Sequence, residues 1–159
     1  MNATKQIAKH FRDVHLGGNW TSVNLKDTLT GISWQQATTQ IDDLNTIAVL
    51  VFHINYYVGV ITRVLQGGPL EGNDKLSFNV PLISSEEAWQ TLVNKSITEA
   101  EEMTVLIEKL DDTTLQENFT DPKYGTYFRN LLGVTEHTHY HLGQIAILKK
   151  IVRNSAQPS

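Results

Sequence analysis

The sequence predicts an all-α protein built as a four-helix bundle. Apolar residues recur at three- and four-residue spacing over four long stretches, and no stretch alternates apolar and polar residues over strand-like length. The stretches are separated by segments rich in Gly, Pro, Asn and Asp, which suits long helices joined by loops. At 159 residues the chain fits one domain with a substantial core, expected over 1–154, followed by a frayed tail at 155–159.

The first helix is expected over 3–16. Ile7, Phe11 and Val14 form its stripe and Gly17-Gly18 stop it. His10 and His15 fall off that stripe and read as surface residues. Beyond Trp20, Asn24 can cap a short segment over 25–30, and Ser33 another that begins at Trp34. These short pieces are expected to fold over one end of the domain.

The second long helix is expected from about 41 to 66, ended by Gly67-Gly68-Pro69. Leu44, Ile47, Val51, Ile54, Val58, Ile61 and Leu65 give an unbroken three-four alternation, the seam of a bundle. A neighbouring row holds Leu50, His53, Tyr57, Val60 and Val64, so His53 is an imidazole set among aliphatic side chains. Burial without a partner would cost free energy or suppress protonation, so something must satisfy it.

Residues 67–83 form a loop of about 17 residues, longer than bundle helices usually need and typical of a functional or covering segment. The third helix begins at Ser84 or Ser85, and Ser84 with Glu87 has capping-box spacing. Trp89, Val93, Ser96, Ala100, Met103 and Ile107 mark its buried stripe, while its many glutamates read as a solvated face rather than a metal cluster. The fourth helix starts near Tyr124 or Thr126, and Val134, Thr138, His141, Ile145, Leu148 and Val152 carry its stripe.

Composition narrows the function. The net charge of −4 leaves no basic surface suited to nucleic acid. Cysteine is absent, which excludes disulfides, thiolate ligands and cysteine nucleophiles; any metal must use His, carboxylate or water. The first residues, Met1 to Gln6, show no charged-then-apolar signal pattern, and no uninterrupted apolar run reaches the ~18 residues of a bilayer span. A cytoplasmic protein without a membrane partner is expected.

Chemistry concentrates in Glu136-His137-Thr138-His139-Tyr140-His141-Leu142-Gly143-Gln144, which holds three of the six histidines. On a helix His137 and His141 lie one turn apart and share a face, whereas His139 points roughly the opposite way. Two imidazoles at this spacing can converge on one metal ion; alternatively one is a satisfied core residue and the other a surface residue. In a bundle, His53 on the second helix can face this pair, and three imidazoles suffice for a divalent metal with positions open to water or substrate. Gln144 has the position either to orient such a ligand or simply to pack at the surface.

With His53 inside Val51-Phe52-His53-Ile54-Asn55, and His137-x-x-x-His141 followed by Gly143-Gln144, the chain resembles the DinB-like superfamily of metal-binding bundles. The resemblance covers nearly the whole chain in helix order, including the short Trp34 segment. It implies a three-histidine site of His53, His137 and His141 for zinc, nickel, iron or a similar divalent ion, and a homodimer. It also implies a metal-dependent enzyme acting on a small-molecule substrate, since characterised members include thiol-dependent S-transferases and a mycothiol-dependent isomerase. A low-molecular-weight thiol is then the expected partner. Metal-assisted hydrolysis and a non-catalytic metal- or ligand-binding module are the alternatives.

Overall fold

Each of the four periodic stretches folds as a helix in the computed structural model, which describes residues 2–155. In chain order the helices are α1 (Ala3–Leu16), the short α2 (Leu25–Leu29) and α3 (Trp34–Thr38), α4 (Ile47–Leu65), the short α5 (Asp74–Ser77), α6 (Glu86–Glu108) and α7 (Tyr127–Ser155). Two 3₁₀ turns, Asp112–Gln116 and Pro122–Tyr124, lead into α7. Among the described residues the only β pairing is an isolated bridge between Asn118 and Thr126. Ser155 still belongs to α7, and the rest of the expected tail, 156–159, lies outside the described residues.

Caps decide the helix boundaries. Asn2, Asn24 and Ser33 accept backbone N–H bonds at the starts of α1, α2 and α3. A full capping box forms at Ser33, whose own N–H bonds the Gln36 side chain. For α6 the capping residue is Ser85 rather than Ser84, accepting from Ala88 N–H at 3.1 Å. The expected start of the second long helix at 41 is corrected to Ile47, because the Thr46 hydroxyl caps it and Asp42 takes a left-handed φ of 44°. Leu44, placed at the head of the apolar seam by periodicity, is consequently in a turn and 52% exposed.

Two apolar clusters fill the interior. One gathers Val14, Leu25, Ile47, Leu50, Trp89 and Leu148; the other gathers Phe11, Val58, Ile61, Met103, Ile107 and Leu131. The Trp89 indole N–H donates to the Ile32 carbonyl at 2.8 Å and so ties α6 to the segment after α2. By length and composition α4 is apolar enough to cross a membrane, but most of it is buried in the protein, the pattern of a bundle's core helix. It packs against both α6 and α7. His53 lies on α4 between Val51 and Ile54 of the first cluster, and α7 brings His137 and His141 to the same level.

Candidate metal centre

The structure brings His53, His137 and His141 together. One ring nitrogen from each lies within 4.8 Å of the others. His53 and His141 are buried, at 3% and 8% exposure, and His137 is half-buried. The Nε2 atoms of His53 and His137 stand 3.0 Å apart. Two nitrogens bound at 2.0–2.1 Å to a single ion, at angles between a right angle and the tetrahedral value, would be separated by about 2.9–3.4 Å. The spacing of this pair suits a shared divalent ion.

The surrounding hydrogen bonds set the proton positions. The Ser77 hydroxyl donates to the Asp74 carbonyl at 2.6 Å, which leaves its oxygen to accept from His53 Nδ1–H at 2.8 Å. Gln144 Oε1, an obligate acceptor, takes His141 Nδ1–H at 2.7 Å. Both rings therefore carry their proton on Nδ1 and keep the Nε2 lone pair for the centre. His137 Nδ1 is buried without a hydrogen-bond partner, so no contact at that atom fixes its tautomer.

Electrostatics reinforce this state. Burial, followed by the neighbouring His141 and His53, lowers the His137 pKa to about 4, against a smaller opposing effect of Asp74. His53 is likewise lowered, first by burial and then by His141, with Asp74 and the Ser77 bond opposing. Both are neutral near pH 7, the form in which imidazole binds metal. Phe78 stacks on His53 with ring centroids 4.0 Å apart. Tyr57 sets its edge against His53 and His137, and its hydroxyl donates to Asp74 Oδ1 at 3.0 Å.

The loop over 67–83 is thus not structureless. Its α5 supplies Asp74 and Ser77, and Phe78 follows directly; Ser77 and Phe78 contact His53, Asp74 accepts from Tyr57, and none of the three stands out in the sequence as a site residue. The one sequence signal was the length of the loop. Of the two roles open to Gln144, the structure realises the ligand-orienting one.

The remaining histidines stay apart from the centre. His139 faces away, as expected, with Nε2 3.2 Å from the Asn19 amide nitrogen. His15 corrects the surface reading: it is 1% exposed, and its Nδ1–H donates to the Phe11 carbonyl at 2.9 Å. Burial lowers its pKa to about 4. Position 15 is buried because α1 packs on α2 as well as on α6 and α7, so its covered arc is wider than one stripe.

Fold and site together define a helical-bundle protein with three convergent imidazoles able to hold a metal ion. A family model described as the DinB superfamily matches residues 19–145, a span that includes all three histidines, and the chain belongs to that superfamily. Searches of curated proteins and of solved structures return no match.

Proposed function

We propose that the protein is a metal-dependent enzyme centred on His53, His137 and His141, acting on a small molecule by way of a low-molecular-weight thiol. The observation that carries this reading is the pair of outer hydrogen bonds, from His53 to Ser77 and from His141 to Gln144, which leave the inner nitrogens free and convergent. A divalent ion, zinc or nickel in preference to iron, would be held there. When bound, it lowers the pKa of a thiol or water and polarises a carbonyl, with at least one coordination position left for substrate.

The chain's own side chains supply the rest. Having no cysteine, the protein must receive its sulfur nucleophile from a second substrate. Phe78 and Tyr57 crowd the imidazoles and limit the water that reaches them. Asp74 adds a carboxylate to the α5 side, held in place by the Tyr57 hydroxyl. The reading extends to a homodimer formed through Tyr140, Ile147 and Leu44, which are 66%, 62% and 52% exposed. The decisive experiment measures the metal content of untagged protein and then screens thiols against electrophiles. Turnover that follows metal loading, and disappears in His53→Ala, supports the proposal. Stoichiometric metal with no thiol chemistry, or no metal at all, rejects it.

A further inference from the structure

We propose that a groove between α4 and α7 binds an organic anion, its negative group on Arg129 and its opposite end at the three histidines, so that the substrate carries a carboxylate. The inference rests on the reading of His53, His137 and His141 as the reaction centre. A cavity of about 240 Å³ runs from His137 and Tyr57 at one end to Arg129 at the other. Ile61 and Val134 give its middle an apolar wall. Gly133 forms the floor, and no atom lies within 4 Å of the place its Cβ would take, so the absent side chain leaves open space.

Arg129 is positioned yet unspent. Its stem lies along Gly125, where an added Cβ would come within 2.8 Å of Arg129 Cδ. Gly125 itself has φ 78°, so the turn before α7 favours glycine there and the arginine stem uses the bare backbone. No ion pair or hydrogen bond engages the Arg129 guanidinium among the described residues. The neighbouring Asn130 amide, in contrast, spends its N–H groups on the carbonyls of Tyr124 and Thr126. The groove therefore offers one free planar cation, and such a fork matches a carboxylate.

The spacing sets the length of the ligand. Eight residues of helix separate Arg129 from His137, a rise of about 12 Å. The arginine stem leans back toward Gly125, so the guanidinium lies no nearer to His137 than that rise, and a chain of five or six methylenes between sulfur and carboxylate, or a peptide-like equivalent, reaches it only when extended, with the metal–sulfur bond and the charged contact completing the span. The cavity between is apolar in the middle and charged only at its end, so the ligand should be polar at its two termini and apolar between them.

The test compares 6-mercaptohexanoate with 6-mercaptohexanol, equal in length and different in charge, by calorimetry on metal-loaded protein. The expected result is about tenfold tighter binding of the anion, as one charge-assisted contact gives. That preference should vanish in Arg129→Met and return in Arg129→Lys, with metal content unchanged in both. Gly133→Leu, whose side chain would stand one turn from both Arg129 and His137 and fill the groove between them, should abolish binding of either thiol. Hexanoate titrated into chelator-treated protein should still shift the amide resonances of Asn130 and Gly133 in an Arg129-dependent way. That arm separates the two readings: a protein that takes up no metal but passes it loses the proposed enzyme and keeps the anion groove. Equal affinity for the two thiols in wild type, or a preference that survives Arg129→Met, overturns the inference.

Discussion

Ser77 and His53, 24 residues apart in sequence, are joined by a 2.8 Å hydrogen bond whose direction is set by a second bond from Ser77 to the Asp74 carbonyl. A four-residue helix in a long connection thereby chooses which nitrogen of a core imidazole carries the proton. Ser77→Ala should leave the fold intact and weaken divalent-metal affinity by about 10–100-fold, the usual effect of losing a partner of a ligating histidine. Competition against a chromophoric chelator measures it. Unchanged affinity would mean that the His53 tautomer is fixed by something other than Ser77.

His141→Ala should abolish tight metal binding, whereas His139→Ala should leave it nearly intact. Their rings point to different sides of α7, one toward His53 and the other toward Asn19. The stability difference between His141→Ala and wild type should shrink when wild type is stripped by a chelator, since binding to the native state is what adds stability. Metal analysis and denaturant titration with and without chelator provide both readings. Equal metal affinity in His141→Ala and wild type would end the three-histidine assignment.

His15 supplies a pH dependence independent of the metal centre. Its folded pKa of about 4 lies below the ordinary histidine value of 6.5, so the unfolded chain takes up the proton first as pH falls. The contribution is complete above pH 6.5, declines through the window from there to about 4, and is gone below it. Its size is about 3 kcal/mol, set by the width of that window. His137 titrates over a similar range, so the measurement is a difference: urea unfolding of wild type and His15→Leu at several pH values. The wild-type curve should fall more steeply between pH 6.5 and 4; parallel curves would refute the assignment.

Trp89→Phe should destabilise the protein by about 2–3 kcal/mol, combining a cavity with an unpaired Ile32 carbonyl. The indole is fully buried and is the hydrogen-bonded tie between α6 and the segment after α2. Thermal and urea denaturation test it. A loss below 0.5 kcal/mol, roughly the scale of surface substitutions, would show that another group takes over the carbonyl.

Ile147→Glu should convert the proposed homodimer to a monomer, because the charge would lie beside Leu44, with which Ile147 lines one surface cavity, and about two turns from Tyr140 on the same helix. Light scattering at tens of micromolar (about the range of ordinary assays) distinguishes the two states. A wild-type monomer at that concentration would remove the dimer from the proposal.

The histidine constellation was legible in the sequence because helical periodicity translates directly into faces. His137 and His141 shared a face and His139 did not, and the row of Leu50, Val60 and Val64 beside the seam set His53 among aliphatic side chains. Periodicity alone misplaced the start of α4, since Leu44 continues the spacing while the Thr46 cap and the Asp42 turn end the helix. It also misread His15, because one stripe cannot report a helix covered on more than one side. The hydrogen bonds from α5 carried no pattern at all. Their partners are separated by a long connection, and a four-residue helix is too short for periodicity to register.

Two of the three histidines sit on α7 and the third on α4, 84 positions away from His137. An ion gripped by all three joins distant points of the chain, as a disulfide would in a protein that has no cysteine with which to make one. Unlike a disulfide, the ion leaves when the chain unfolds, so it stabilises by mass action, by about 2.7 kcal/mol at a free concentration a hundred times its Kd. Metal loading should then slow unfolding and protease cleavage along the whole loop, including α6, which contributes none of the three histidines.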